Sequence, residues 1–313
     1  MRVSRQEEPL RILLLGAQGQ LGHGLALALT DLGEVRALTR AEVDLADATH
    51  LPAALRAQCD AFQPHVIVNA AAYTAVDQAQ TQVDAAMQVN ARAVRVLAQE
   101  AQARDAMLLH YSTDYVFDGS GEQPWSEDDA PHPLSVYGQS KLAGEQAIAE
   151  VAPRACVLRT SWVVGAHGNN FLKTMLRLAS ERTELRVVAD QVGAPTSVAL
   201  LCEVSVAVIR ALHRAPSDDP RWGIYHVAPQ GETSWHGYAA YAIAYAQRQG
   251  WPVKLAVRAI EAIRTEDYPL PAPRPRNSRL STAKLQRHFG LHLPTWQSGI
   301  DAVIDDILKA QST

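Results

Sequence analysis

The chain has 313 residues, of which 47% are apolar and 20% are charged, a composition typical of globular proteins and not of disordered ones. The formal net charge is −4, and the lysine and arginine residues do not form a basic run, so we expect neither nucleic acid nor an anionic membrane as a partner. No apolar run approaches the roughly 20 residues that a membrane span needs. Residues 1–10 are charged and contain no apolar segment of a signal peptide, so we expect a soluble, cytoplasmic protein.

The three cysteines give no sign of a metal site or of a redox motif. Cys59, Cys156 and Cys202 are far apart in the sequence, and they form neither a C-x-x-C pair nor a metal pair with a histidine. We therefore predict buried free thiols.

Short aliphatic runs alternate with helical patterns over the first half of the chain. LRILLL predicts a first strand, and the segment HGLALALTDLG has apolar residues at helical spacing. We predict further strands and helices in alternation: strands at 34–38, 65–72, 106–112 and 155–164, and helices at 51–62, about 84–104 and about 137–149. Near-continuous aliphatic strands between helices indicate an α/β fold with a Rossmann-type, doubly wound parallel sheet.

A glycine-rich turn, GAQGQLG, lies between the first strand and the first helix. In this G-x-x-G-x-x-G pattern, Gly16 permits a tight turn, Gly19 lets a pyrophosphate approach the backbone, and Gly22 lets the helix pack closely on the strand. A purely structural turn is the alternative, since the spacing differs from the G-x-G-x-x-G of many NAD enzymes. Small residues at the end of a later strand would also let a dinucleotide lie close to the backbone: Ala70, Ala71 and Ala72.

The loop about 20 residues after the glycine turn bears on which dinucleotide is bound. NAD enzymes carry an acidic residue there for the ribose hydroxyls, whereas this chain has Thr39 and Arg40. An arginine without an acid favours the 2′-phosphate of NADPH, and NADH is the alternative. Asp44 and Leu45 are placed to line the adenine. The structural alternative for Arg40 is a solvated surface side chain.

A tyrosine and a lysine four residues apart share one face of a predicted helix. Tyr137 and Lys141 form a Y-x-x-x-K pattern, and Ser112 and Thr113 lie at the C-terminal end of a preceding strand, where doubly wound sheets bind ligands. Carbonyl reduction needs a hydride and a proton, and a cation such as Lys141 lowers the pKa of a phenol from about 10. Thr113 can donate a second hydrogen bond to the developing oxyanion. A surface pair is the alternative.

Several other polar or aromatic residues have a binding role and a structural role as alternatives. Asn90 either orders a water near Lys141 or caps and packs, and Trp162 either stacks on a sugar or base or lies in the core. Asn169 and Asn170 contact a sugar or cap the next helix. A proline-spaced loop carries candidates for binding a diphosphate, with a solvated loop as the alternative: Arg274, Arg276 and Arg279.

The chain resembles the extended short-chain dehydrogenases/reductases, and among them the dTDP-4-dehydrorhamnose reductase family. The resemblance extends over about residues 10–300 and is carried by these segments: GAQGQLG, VIVNAAAYTAVDQAQ, HYSTDYVFDG, PLSVYGQSKLAGE, RTSWVVG, GNNFLKTMLRLA, DQVGAPTS, YHVAPQGETSWHGYA and RPRNSRL. It implies reduction of the C4 ketone of dTDP-4-dehydro-6-deoxy-L-mannose to dTDP-L-rhamnose, a precursor of cell-surface polysaccharide.

The resemblance also implies roles for individual residues. Tyr137 would be the proton donor, Lys141 its partner and a ribose ligand, and Thr113 the residue that tunes the carbonyl. Thr113, Asp114 and Trp162 would contact the deoxysugar nucleotide. The implied dinucleotide contacts are Gly19, Gln20, Leu21, Thr39, Asp44, Leu45, Ala70, Ala71 and Ala72, to which the glycine pattern and the loop add Gly16, Gly22 and Arg40.

Two departures from the family pattern matter. Family members often have an acid at the position of Thr39 and use NADH as well as NADPH, so its absence supports NADPH here. Some relatives are thought to dimerise through carboxylates that bind magnesium, one of them just after the glycine turn. This chain has His23 and Gly24 there, so we predict no such metal site, and we expect a monomer or a homodimer.

The domain division follows the loss of regular alternation after residue 165. Residues 1–165, with about 185–215, are predicted to form an NADP(H)-binding Rossmann domain. About 166–184 and 220–313 are predicted to form a smaller, discontinuous substrate-binding region. Two alternative functions remain at this point: a reductase of another nucleotide-linked 4-ketosugar, and a non-catalytic regulatory subunit that retains the fold.

Overall fold

The computed structural model describes residues 9–256 and 259–311. Residues 1–8, which bear on the expectation about a signal peptide, and the ends of the predicted domains lie outside this part of the chain. The strands are β1 (Leu10–Leu15), β2 (Gly33–Leu38), β3 (Val66–Asn69), β4 (Met107–Thr113), β5 (Ala155–Thr160), β6 (Leu185–Val188), β7 (Val192–Gly193), β8 (Gly223–Val227), β9 (Thr233–Ser234) and β10 (Ile260–Ile263). The α-helices are α1 (Gln20–Ala28), α2 (Leu51–Phe62), α3 (Val76–Ala79), α4 (Val83–Met87), α5 (Ala93–Ala103), α6 (Val136–Val151), α7 (Phe171–Glu181), α8 (Val198–Leu212), α9 (Trp235–Arg248), α10 (Ala283–Phe289) and α11 (Trp296–Gln311).

The large sheet has six strands in the order β2-β1-β3-β4-β5-β8, and every pair is parallel. The predicted Rossmann-type, doubly wound sheet is thereby confirmed. The chain reverses its direction of travel across the sheet between β1 and β3, and ligands of such folds bind outside the carboxyl ends of the strands at this point. The turns that contain Gly16 and Ala71 lie there.

Apolar strand residues are buried on both faces of this sheet. Ile12 and Leu14 pack with α1 and α8 on one face, and Leu13 and Leu15 pack with α2, α5 and α6 on the other. Each fully buried leucine contributes about 1.5–3 kcal/mol. This two-sided burial explains why the strands are aliphatic runs without polar alternation.

The smaller region contains two short sheets, and it corrects the predicted domain boundaries. β6 pairs with β10 and β7 with β9, whereas β8 joins the large sheet beside β5. The predicted placement of 185–188 with the large domain and of 223–227 with the small one is therefore wrong. Strand pairing between distant segments decides both cases, and an apolar run alone does not identify its partner strand.

The predicted elements differ from the observed ones at three places. The predicted helix at about 84–104 is divided into α4, a π-helical turn at Gln88–Arg92, and α5. The predicted strand at 65–72 ends at Asn69, and the one at 155–164 ends at Thr160, shortly before the positive φ of 49° at Trp162. The residues beyond these strand ends are mostly apolar but leave the sheet at the ligand-binding edge. Among the described helices, none is long and apolar enough to cross a membrane.

The prediction of buried free thiols is confirmed. Cys59, Cys156 and Cys202 are all free and buried. Burial raises the pKa of Cys59 to about 11 and those of the other two to about 12. These thiols are core residues.

Candidate active site

The glycine turn between β1 and α1 is shaped by close backbone contacts. Gly16 has a φ of 80°, and a Cβ there would lie 2.6 Å from the Ala71 nitrogen. A Cβ on Gly22 would lie 2.0 Å from the Gly16 carbonyl oxygen. Gly19 is the N-cap of α1, and in the described chain no side chain caps this helix. The N–H groups of its first turn are therefore available to an anionic ligand such as phosphate.

A cavity of about 410 Å³ opens beside this turn, at the carboxyl ends of β1, β2 and β3. Its lining includes these predicted dinucleotide contacts: Gly16, Thr39, Arg40, Asp44, Leu45, Ala71 and Ala72. Ala70 lies directly under the turn, since its carbonyl carbon is 2.8 Å from the position of a Cβ on Gly16. The fold thus brings the separate sequence segments to one cavity.

The loop after β2 contains acids, among them Glu42, which the sequence did not single out, and Asp44, which was predicted to line the adenine. Glu42 Oε2 accepts hydrogen bonds from the N–H of Thr39 at 2.7 Å and from its hydroxyl at 3.0 Å, and these bonds hold the pKa of Glu42 below its ordinary value. Arg40 Nε donates to Asp44 Oδ2 at 3.1 Å, while 76% of the Arg40 side chain is exposed. The position about 20 residues after Gly16 carries no acid, but the fold places Glu42 beside Thr39 and Asp44 beside Arg40.

Gln20 and Leu21, two of the predicted dinucleotide contacts, direct their side chains away from the 410 Å³ cavity lining. Gln20 Nε2 donates to the Val163 carbonyl at 3.0 Å, and its Oε1 accepts from Asn170 Nδ2 at 2.7 Å. Leu21 packs against the core shared by α1 and α8. Asn170 also caps α7 through the N–H of Lys173, which is the structural alternative stated for this residue.

Tyr137 and Lys141 lie on α6, which begins close to the end of β4. Ser135 caps the helix by accepting from the Gly138 N–H at 3.2 Å. A Cβ on Gly138 would lie 2.2 Å from the Tyr115 carbonyl oxygen, so only glycine permits this close approach. The helix therefore presents Tyr137 next to Thr113, the last residue of β4.

The phenol of Tyr137 is protonated at neutral pH. Burial raises the pKa of Tyr137 to about 12, a hydrogen bond with Thr113 opposes this rise, and the charge of Asp114 adds to it. This shift arises from burial, Thr113 and Asp114, so the lowering of the pKa by Lys141 stays a prediction. A protonated phenol has the proton that carbonyl reduction requires.

Lys141 is buried among polar atoms of β4. Its Nζ donates to the Tyr111 carbonyl at 2.7 Å and lies 3.3 Å from His110 Nε2. Burial lowers the pKa of Lys141 to about 8, and the nearby carboxylate of Glu145 opposes this fall. Arg159 pairs with Glu145 through two hydrogen bonds of 2.9 and 2.6 Å, both side chains being buried.

Asp114 is a buried carboxyl group with one oxygen unpartnered among the described residues. Its Oδ1 accepts from the Thr113 hydroxyl at 3.0 Å, whereas Oδ2 has no protein partner. Burial raises its pKa to about 6, and the hydroxyl groups of Ser278 and Thr113 oppose the rise. A buried, unpartnered acceptor beside Tyr137 suits a hydroxyl group of a ligand.

Trp162 is involved in aromatic packing. Its ring stacks on Trp235 with centroids 3.8 Å apart, and Gly193 lies against its indole. Gln191 accepts a hydrogen bond from Trp235 Nε1 at 3.1 Å. One face of Trp162 is thus covered by protein, so a sugar or base has only the remaining surface.

The largest of the described cavities, of about 820 Å³, lies between the smaller region and the loop after β4. It is lined on one side by Tyr115 and on the other by Phe171 and Trp235. The ring of Tyr115 contacts that of Tyr137 edge-to-face, with the ring centroids 5.5 Å apart. Arg274 also lines it and is held by Asp77 at 2.8 Å. This cavity has the size and the aromatic walls of a nucleotide site.

The other two loop arginines are paired with acids as well. Arg276 pairs with Glu266, and Arg279 Nε donates to Glu232 Oε2 at 2.6 Å. Only Arg274 of the three lines the 820 Å³ cavity.

Asn90 follows the structural alternative stated for it. Its side chain bonds both the N–H and the carbonyl of Tyr73, at 2.8 and 3.0 Å, and donates to Ser140 at 3.0 Å. It lies in the π-helical turn and holds α6 against the loop after β3. Asn169 lines a separate cavity beside α7. No group of three histidine, cysteine, aspartate or glutamate side chains suited to a metal occurs in the described part of the chain.

Sequence reasoning missed several residues that shape the site. His110 and Asn69 lie within predicted strands, and Trp235 and Tyr115 line the large cavity. The one signal in the sequence was a histidine inside the apolar run MLLHYS, a pattern that more often marks a core residue.

Known proteins resemble this chain over nearly its whole length. The family described as the RmlD substrate binding domain matches residues 10–309. A dTDP-4-dehydrorhamnose reductase of Shigella flexneri is 44% identical over 95% of this chain and 98% of its own length.

Solved structures show the same fold. A dTDP-4-dehydrorhamnose reductase of Bacillus anthracis in complex with NADP superposes with a TM-score of 0.85 at 34% identity, over 95% of this chain and 99% of that one. A UDP-glucose 4-epimerase of Thermus thermophilus reaches 0.73 at 19% identity, over 96% and 100% of the two chains, and so shares the fold alone. Taken with the family match, the relatives and the dinucleotide-type turn, these likenesses show that the chain belongs to the RmlD substrate binding domain family.

Proposed function

We propose that this protein is an NADPH-dependent reductase of the C4 ketone of dTDP-4-dehydro-6-deoxy-L-mannose, which yields dTDP-L-rhamnose. The observation that carries the proposal is the cluster of Thr113, Tyr137 and Lys141 at the carboxyl edge of the large sheet. Similarity to dTDP-4-dehydrorhamnose reductases over 95% of the chain supports the same substrate.

The residues around the glycine turn fit a dinucleotide. The turn leaves no room for a Cβ at Gly16 or Gly22, and α1 begins with a glycine cap whose neighbouring N–H groups suit a pyrophosphate. Adenosine would occupy the 410 Å³ cavity, with Arg40 near a 2′-phosphate. When bound, the nicotinamide supplies the hydride. The relative solved with NADP supports this cofactor, and NADH is the alternative that the acids of the loop keep open.

Tyr137 is the proton donor of the proposed reaction. Its phenol carries a proton at neutral pH, because burial raises its pKa to about 12. As hydride reaches the ketone carbon, negative charge develops on the oxygen, which takes the phenolic proton. Thr113 donates a hydrogen bond to the same oxygen, and the buried Lys141 supplies positive charge and a ribose contact.

The substrate occupies the space between the Thr113–Asp114 turn and the large cavity. Asp114 Oδ2 accepts a bond from a sugar hydroxyl, and the 820 Å³ cavity takes the nucleotide between Tyr115 and Trp235. Arg274 is the arginine of the loop best placed for the diphosphate, because it lines this cavity. Trp162 contributes its uncovered surface to the sugar.

The proposal is tested by following NADPH absorbance with dTDP-4-dehydro-6-deoxy-L-mannose, and by identifying the product. We expect wild type to turn over, and Tyr137→Phe to lose about 10²–10⁴-fold in kcat while it still binds NADPH. Tyr245→Phe is the matched control, since that hydroxyl bonds Asp305 between α9 and α11.

Two results would contradict the proposal. NADPH binding without turnover by wild type would favour a regulatory protein. Faster turnover of a different nucleotide-linked 4-ketosugar, such as the D-gluco isomer, would keep the chemistry and replace the substrate.

A further inference from the structure

A line of buried polar groups connects the turn after β3 with Lys141. The Ala71 N–H donates to Asn69 Oδ1 at 3.1 Å, Asn69 Nδ2 lies 3.1 Å from His110 Nδ1, and His110 Nε2 lies 3.3 Å from Lys141 Nζ. All three residues are buried: the exposed fraction is 1% for Asn69, 1% for His110 and 2% for Lys141. Bulk water therefore does not replace any partner in this line.

The positions of the hydrogen atoms in this line follow from the Ala71 N–H. A backbone N–H only donates, so the Ala71 N–H fixes the carbonyl oxygen of Asn69 toward itself and the amide NH₂ toward His110. His110 Nδ1 must then accept. Burial holds the pKa of His110 well below its ordinary value, so the ring is neutral, and with Nδ1 accepting it carries its proton on Nε2.

An Nε2–H of His110 favours the neutral form of Lys141. A neutral amine accepts this hydrogen bond and still donates to the Tyr111 carbonyl, whereas an ammonium has no lone pair to accept it. A charged Lys141 is accommodated when His110 carries its proton on Nδ1. That tautomer requires Asn69 to rotate and to lose its bond with Ala71.

Other groups around Lys141 do not replace His110 in setting the proton affinity of Lys141. Glu145, on the same helix, favours the ammonium, but Arg159 of β5 already pairs with it. Tyr137 lies one turn earlier on α6 and is protonated at neutral pH. The neighbouring side chains from β3 and from the π-helical turn, Asn69 and Asn90, are uncharged.

We propose that His110, oriented by Asn69, is a positioning residue that sets the pH at which Lys141 loses its proton, and thereby the alkaline limit of the reductase. The effect on activity rests on the proposed function, whereas the positions of the protons do not.

Two substitutions change the line by different chemistry and have the same expected result. In His110→Gln, a side-chain carbonyl accepts from the Lys141 ammonium. In Asn69→Asp, a carboxylate keeps the bond with the Ala71 N–H and accepts from Nδ1–H, which leaves Nε2 as an acceptor. Both stabilise the charged lysine, so the alkaline limb of the kcat profile moves up by about one pH unit, a tenfold change in proton affinity.

The matched control is His226→Gln. His226 is another fully buried histidine of the large sheet, and its Nδ1 contacts the Trp125 carbonyl instead of a lysine. We expect this variant to leave the alkaline limb unmoved, whatever it does to stability. A similar shift in the control would overturn the proposal, because disturbance of the sheet alone would then explain it.

Nuclear magnetic resonance tests the proposal without turnover. At a pH above the titration of Lys141, long-range ¹H–¹⁵N correlations should show His110 protonated on Nε2, and ¹³C-labelled lysine should show Lys141 titrating about one pH unit lower in wild type than in either variant. The Lys141 signal is assigned by its loss in Lys141→Met. An Nδ1–H tautomer in wild type at that alkaline pH, or an unmoved lysine titration in both variants, would overturn the proposal. Absence of turnover with these signals as expected would instead count against the proposed function.

Discussion

The loop after β2 and the β4–α6 junction both carry candidate site residues, but they hold them differently. Arg40 is 76% exposed and pairs with Asp44 in solvent, whereas Lys141 is 2% exposed and hydrogen-bonded to β4. An exposed ion pair contributes about 0–1 kcal/mol and is readily exchanged for a ligand, while a buried charge depends on each of its partners. Single substitutions should therefore change cofactor affinity only modestly in the loop, but strongly affect activity or stability at the β4–α6 junction.

The largest loss of stability is expected at the glycine turn between β1 and α1, which lines the same cavity as the exposed loop. Gly22→Ala places a Cβ 2.0 Å from the Gly16 carbonyl oxygen, so the backbone must shift, at a cost of about 3 kcal/mol or more. Gly19→Ala is the matched variant, because its Cβ would lie 3.3 Å from the same oxygen. Urea denaturation and NADPH titration should show lost stability in the first and weakened binding with nearly normal stability in the second. Equal stability of the two variants would contradict this account of the turn.

Asp114→Asn tests whether the buried carboxylate of Asp114, at the β4–α6 junction, lowers the stability of the folded protein. The pKa of Asp114 is raised to about 6, so the folded state binds more protons than the unfolded state between about pH 4 and pH 6. Stability is therefore lost as pH rises through that window, and asparagine removes this loss. We expect the variant to be about 3 kcal/mol more stable near pH 7.5 and about equally stable near pH 4, with reduced activity.

Denaturation of both proteins at the two pH values checks this prediction. Thr113→Ser serves as a control, since it keeps the hydroxyl that bonds Asp114. A stability difference that is the same at both pH values would show that Asp114 is not responsible for it.

The smallest effect is expected in the exposed loop. In the proposed binding mode, Arg40→Ala removes one charge-assisted bond to the 2′-phosphate, worth about 1.5 kcal/mol or roughly tenfold in the Kd of NADPH. The Kd of NADH should change less than about twofold. Titration with both cofactors measures this selectivity, and Arg36→Ala, on β2 itself, is a control. Equal weakening for the two cofactors would place Arg40 away from the 2′-phosphate.

The comparison also explains what the sequence could predict. Glycine spacing, aliphatic runs and Y-x-x-x-K depend on backbone geometry that is local, and they predicted the sheet, the turn and the α6 pair. The partners of exposed side chains were not predictable, as Glu42 on Thr39 and Asp44 on Arg40 illustrate. Nor was the pairing of β6 with β10, which is decided between segments about 75 residues apart.

At the β4–α6 junction, the protonation states of the side chains were likewise not predictable from the sequence. Sequence spacing placed Lys141 near Tyr137 but could not show that burial raises the pKa of the phenol to about 12. It also gave no reason to connect His110 with Lys141, because a histidine in an apolar strand is usually a core residue.

Single-turnover oxidation of enzyme-bound NADPH tests the central claim most directly. Enzyme loaded with NADPH is mixed with excess dTDP-4-dehydro-6-deoxy-L-mannose, and the absorbance decay is compared for wild type, Tyr245→Phe and Tyr137→Phe. We predict the same rate for the first two proteins and a rate lower by at least about 10²-fold for the third, with NADPH still bound. A Tyr137→Phe rate within about threefold of wild type would contradict the assignment of this tyrosine as the proton donor.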